Sequence, residues 1–93
     1  PPNISLINNK FSSVLISDDR PGSLLKSLNI FNDLNINLTK LESRPILGRP
    51  WEYKFYIDYE LSDSNLQHEL IERIDLVSKE FKILGHYPKA NQE

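Results

Sequence analysis

Asn37-Leu38-Thr39-Lys40-Leu41-Glu42-Ser43-Arg44-Pro45 decides how this chain reads. It opens as a polar turn, runs as an alternating strand over residues 38–44 and stops at a proline, which ends ladder pairing or marks a sheet edge. Thr39, Leu41 and Ser43 are expected on one face; Leu38, Lys40, Glu42 and Arg44 on the other. A helical pattern ends just before this stretch and an aromatic strand begins just after it.

Upstream, Leu24, Leu28, Phe31 and Leu34 recur at helical spacing, which predicts a helix over residues 23–34 with Leu25 and Ile30 widening its apolar face. Asn35 and Asn37 end it, since asparagine tolerates a left-handed turn. Before the helix, Asp18-Asp19-Arg20-Pro21-Gly22 breaks the chain, with acidic caps first and proline early. A short β-branched run within residues 11–17 predicts the first strand. Downstream, residues 46–50 read as a loop around Gly48. Trp51, Tyr53, Phe55, Ile57 and Tyr59 alternate with polar residues, which makes 51–60 the clearest strand. Ser64 with Gln67 fits a capping box. Leu66, Leu70, Ile74 and Val77 then mark a second helix running to about Lys79. Phe81, Ile83 and Leu84 give a short last strand, ended by residues 85–88. The order is β-α-β-β-α-β: an α+β, ferredoxin-like sandwich in which two helices cover one face of a four-stranded antiparallel sheet. Residues 1–10 read as a linker or the tail of a preceding domain, 11–88 as one domain and 89–93 as a C-terminal tail.

Composition narrows function by exclusion. Ninety-three residues make one small domain with a modest core, so association with a second copy is a natural way to bury more surface. Eleven basic against 13 acidic residues, net charge −2, give no basic patch for nucleic acid. No cysteine is present, so disulfides and thiolate metal sites are excluded. The absence fits a cytoplasmic setting. No apolar run approaches the roughly 20 residues that span a bilayer. Asn3-Ile4-Ser5 and Asn37-Leu38-Thr39 match the glycosylation triplet, which is common by chance. His68 and His86 are the only histidines and read as structural or solvent-facing; no metal-ligand set converges on them. The carboxylates are scattered and read as caps and solvated faces, so neither a catalytic centre nor a cofactor site is expected. With only three glycines, no phosphate loop or dinucleotide fingerprint is present, and the acidic 18–22 loop argues against an acyl phosphatase.

Two stretches remain. Gly22, Ser23 and Leu24 open the first helix, where free backbone N–H groups and a partial positive charge suit a carboxylate. These residues also fit a plain helix start. Asn37 offers both donor and acceptor groups to a ligand, Leu38 apolar contact and Thr39 a hydroxyl. Glu42 and Arg44, two apart on one strand face, could bond a loop or a partner chain, or form an exposed pair worth under about 1 kcal/mol.

At these stretches the sequence resembles the ACT regulatory domain of prephenate dehydratase, including the bifunctional chorismate mutase–prephenate dehydratase. The matching segments are Arg20-Pro21-Gly22-Ser23-Leu24-Leu25, Asn35 through Pro45, Trp51-Glu52-Tyr53-Lys54-Phe55-Tyr56-Ile57-Asp58 and Leu84-Gly85-His86-Tyr87-Pro88. Regulatory domains of aromatic amino-acid hydroxylases share Glu42-Ser43-Arg44-Pro45, but the Trp51 strand and the ending look more like the dehydratase. The resemblance implies a non-catalytic domain binding L-phenylalanine as a feedback inhibitor, in a homodimer or, in the full-length enzyme, a tetramer. It implies that Gly22, Ser23 and Leu24 hold the amino acid, that Asn37, Leu38 and Thr39 contact it from the other subunit, and that Glu42, Ser43, Arg44 and Pro45 organise the wall and the dimer contact. The family's helix start usually reads Gly-Ala-Leu-Val; Ser23 departs from it, which leaves open a dimerisation module without ligand.

Overall fold

The computed structural model describes residues 8–18, 22–63 and 65–89. Its elements run β1 (Asn8–Asp18), α1 (Ser23–Asp33), β2 (Asn37–Ile46), β3 (Arg49–Leu61), α2 (Asn65–Val77) and β4 (Glu80–Lys89). The sheet is antiparallel in the order β2-β3-β1-β4. This is the ferredoxin-like plan expected from the residue pattern, with β2 at one edge.

Alternation sets the two faces. Phe55, Ile57, Tyr59 and Leu61 on β3 meet Phe11 and Leu15 on β1, and the helices close over them with Phe31, Leu70 and Ile74. The opposite, outer face carries Lys54, Tyr56, Asp58 and Glu60. Three rings knit the core: Tyr59 stacks on Phe11 at 5.3 Å and meets Phe31 edge-on at 5.3 Å. Trp51 and Tyr53 continue the inner face of β3 toward the β2–β3 turn but are exposed, at 68% and 41%.

The helix ends follow local chemistry. Asn35 takes φ 58°. Its N–H donates to the Asn32 carbonyl, and the Ile36 N–H donates to the Phe31 carbonyl. That is a Schellman ending with Ile36 packed beside Phe31. At the start of α2, Asp63 Oδ1 accepts the Asn65 N–H at 2.9 Å. Ser64 of the expected capping box lies outside the described residues, and Gln67 instead accepts the Tyr59 hydroxyl at 2.9 Å.

Several boundaries differ from the sequence reading. Asn8, Asn9 and Lys10 already pair with β4. Pro45 does not stop β2; it pairs opposite Tyr53, as an edge strand allows, and the expected 46–50 loop shrinks to a turn at Leu47 and Gly48. Residues 85–88 continue β4 to Lys89. The ring of Tyr87 folds back over Gly85, where an added Cβ would lie 2.6 Å from its hydroxyl. The largest correction concerns Leu38. A register shift at Thr39 sets Leu38 opposite Tyr59 and Lys40 opposite Asp58. This bulge turns Leu38 onto the core face with Leu41, away from Lys40, Glu42 and Arg44.

Two buried serines behave oppositely. Ser13 donates to the Ile57 carbonyl at 2.8 Å, tying β1 to β3. Ser27, fully buried on α1, has no hydrogen-bond partner among the described residues. Removing an unmatched buried hydroxyl relieves a penalty of about 1–3 kcal/mol, and alanine also favours helix. Ser27→Ala is therefore expected to raise stability by about 1 kcal/mol and Ser13→Ala to lower it by a similar amount. Urea titration of both variants checks the pair of signs.

Burial pushes the Tyr59 phenol up to about 12, only partly offset by its bond to Gln67. An unfolded tyrosine titrates near 10, so the folded chain keeps this proton longer. The resulting stabilisation is complete below about pH 10 and is lost as pH rises toward 12. Melting curves at increasing pH should show a steep fall over that window, and Tyr59→Phe should flatten it.

Candidate functional site

Gly22 sits at φ 88°, the left-handed region that glycine adopts without strain, and as the N-cap residue it makes no side-chain cap bond. The first turn of α1 contains no acidic residue, and the Gly22 carbonyl accepts the Lys26 N–H at 2.9 Å. Among the described residues, a Cβ placed on Gly22 meets nothing within 4 Å. Ser23 and Leu24 form the first turn, both half-buried, with Leu24 packed on the core. This corner offers backbone donors and a partial positive charge beside an apolar flank, which suits a carboxylate on a hydrophobic molecule.

Asn37 and Thr39 are exposed at the start of β2, and Leu38 is half-buried against the core. Asn37 faces Glu60 across the ladder. With Asn35, Glu60, Leu61, Ser62 and Leu66 it lines a cleft of about 220 Å³. Ligand pockets usually exceed about 300 Å³, so this cleft is the size of a partial site. Sequence reasoning did not include Glu60, Ser62 or Leu66 in it, because pairing register brings them to Asn37 and the residue pattern does not specify register.

One chain does not bring the two stretches together. Asp18, which leads toward Gly22, pairs opposite Glu52, whereas Asn37 pairs opposite Glu60. Those levels are about 26 Å apart along β3. The helix joining them is itself about 16 Å long.

Arg44 donates to Glu42 through Nε at 3.0 Å and Nη2 at 2.9 Å, and Lys40 Nζ stands 3.6 Å from the same carboxylate. Arg44, with Lys40 adding to it, holds the Glu42 carboxyl below the usual range. Arg44 also lies 5.2 Å from the Tyr56 ring centre, a cation–π distance. These groups fix the outer face of β2. Ser43 and Pro45 are exposed on its inner face. At the opposite end of the molecule His86 stacks on Phe11 at 4.3 Å, and His68 is exposed on α2. Among the described residues no cluster of three metal-ligating side chains occurs, and no helix is long and apolar enough to cross a membrane.

No family model matches the chain. Individual proteins do. The bifunctional chorismate mutase/prephenate dehydratase of Aquifex aeolicus is 42% identical over 79 residues, covering 77% of this chain and 20% of that protein. The chain thus spans about a fifth of the length of this relative and of others like it. Among solved structures, the prephenate dehydratase of Arthrobacter aurescens in complex with L-Phe superposes with TM-score 0.74 at 30% identity, over 97% of this chain and 29% of that one. The ACT domain of a Chlorobium tepidum GTP pyrophosphokinase, at 6% identity and TM-score 0.62 over 87% of this chain and 97% of that one, shares the fold alone. The chain is thus homologous to one part of the longer prephenate dehydratases, and it has the ACT-type fold.

Proposed function

We propose that this domain is a non-catalytic sensor that binds L-phenylalanine between two copies of itself and thereby gives feedback inhibition of a prephenate dehydratase in phenylalanine biosynthesis, a cytoplasmic pathway. The observation that carries this reading is the division of the site. A helix start at Gly22 and a polar strand start at Asn37 lie at opposite ends of one chain, yet β2 between them is an edge of the described sheet. Two β2 edges related by a twofold axis run antiparallel, so Asn37 of one copy comes to the Gly22 end of the other. The helix start then takes the carboxylate and Asn37 addresses the ammonium group. Leu24 and Leu38 flank the ring, whose burial is worth about 1.5–3 kcal/mol. The L-Phe complex of the Arthrobacter aurescens relative supports the choice of amino acid.

Ligand binding across a seam couples effector to subunit packing, with about 1–3 kcal/mol as the usual scale of such coupling. Calorimetric titration with L-phenylalanine, alongside sedimentation, tests the reading. Saturable binding that tightens the dimer is expected. A dimer indifferent to millimolar amino acid would make the domain an assembly module instead.

A further inference from the structure

An amino acid enters its site as a zwitterion, and its two charged ends need different partners. The helix start at Gly22 suits the carboxylate, but the side-chain amide of Asn37 is neutral. Taking an ammonium group out of water beside a neutral partner alone is costly, because no opposite charge offsets the lost hydration. The cleft at the start of β2 contains such a charge. Of the residues that line it, Asn35, Asn37, Glu60, Leu61, Ser62 and Leu66, only Glu60 ionises. At about 220 Å³ the cleft is too small for a whole aromatic amino acid and fits its polar end.

Strand register places the carboxylate. Glu60 faces Asn37 directly across the β2–β3 ladder. Side chains paired in this way share one face of the sheet and start about 4.5–5.5 Å apart. A cation held by the side-chain oxygen of Asn37 therefore stands within ion-pair reach of Glu60. Other carboxylates near β2 are engaged or directed elsewhere. Asp63 accepts the Asn65 N–H, Glu42 is held by Arg44 and Lys40, and Asp58 faces Lys40 across the ladder. On its β1 side Glu60 faces Lys10. A carboxylate has two oxygens and about four acceptor positions, so a lysine on one flank leaves room for a second cation on the other.

Resting on the reading of Asn37 as the ammonium contact, we propose that Glu60 is the specificity-determining residue that makes this cleft select an α-amino acid over a carboxylic acid of the same shape. Its charge offsets the ligand's ammonium group, and the Asn37 amide fixes the direction of approach. A helix start alone accepts any hydrophobic carboxylate; the Asn37–Glu60 pair rejects those without an amine.

Calorimetric titration with L-phenylalanine and with hydrocinnamate, the same molecule without its amine, tests this role. Glu60→Gln keeps the shape of the side chain and removes its charge. It should weaken L-phenylalanine binding roughly 10- to 100-fold, and it should bind hydrocinnamate at least as well as the unmodified chain does. Asp58→Asn, on the same strand and the same face, should leave L-phenylalanine binding within about twofold. An equal loss of both ligands in Glu60→Gln, an unchanged L-phenylalanine affinity, or a matching loss in Asp58→Asn overturns the role of Glu60 and leaves the amino-acid site standing. An unmodified chain that binds no L-phenylalanine overturns the site and the role of Glu60 together.

Discussion

Phe31→Ala is expected to cost about 3–5 kcal/mol and to lower the melting temperature by about 15–25 °C. Phe31 is 1% exposed, meets Tyr59 edge-on and supplies the carbonyl that closes α1 through the Ile36 N–H. Truncation leaves a cavity between α1 and the sheet, removes the ring contact and strips Ile36 of its neighbour. A 93-residue domain is stable by only about 5–14 kcal/mol, so at least about a fifth of the margin disappears. The expected urea curve keeps its slope and shifts its midpoint, because the same surface is exposed on unfolding. Leu25→Ser is the matched control. Leu25 is on the same helix, 59% exposed, and should change stability by under about 0.5 kcal/mol. A loss below about 1 kcal/mol for Phe31→Ala would mean that α1 is not docked as described.

That contrast also shows what the residue pattern could convey. Helical spacing marks the apolar face of α1, but it does not say which members sit at the centre. Phe31 is buried and Leu25 is not, because the sheet is only four strands wide and α1 shares its face with α2. Alternation over 55, 57 and 59 fixed the inner face of β3 for the same reason that it failed at Leu38. A strand's faces are legible while its period stays at two, and the bulge at Thr39 adds one residue to the count without a residue type that announces it. Gly85 looked like a stop. It is a strand residue because it pairs opposite Ser12 of β1, a long-range contact that propensity does not include. Pro45 was read correctly as an edge marker and wrongly as an end, since an edge strand has a side on which no N–H is required.

The site was legible in its parts and not in its assembly. Gly22 before a helix and Asn37 after a turn are local signals, and the left-handed φ of Gly22 gives the first of them a backbone reason. Their separation by the length of the sheet is a fact of topology, and it turns two weak features into one hypothesis about two chains.

The sharpest consequence is complementation. If each site draws Gly22 from one copy and Asn37 from the other, two crippled variants should repair each other. Asn37→Ala removes a hydrogen bond to a charged group, worth about 1.5–3 kcal/mol, and should weaken L-phenylalanine binding roughly 10- to 100-fold. Gly22→Val puts a β-branched residue at φ 88°, at a strain of order 1–3 kcal/mol, and turns the helix-start amides away from the ligand. Each homodimer then has two damaged sites. Mixed in equal amounts and allowed to exchange, about half the dimers are heterodimers, and each of these has one site with both defects and one with none. Titration of the mixture should therefore recover about one quarter of the wild-type sites, at close to wild-type affinity. A site built within one chain predicts no recovery at any mixing ratio, because every chain in the mixture still has its own defect. Melting curves of the two variants separate a binding loss from a folding loss. An intact site formed from two damaged chains has no explanation other than a shared one.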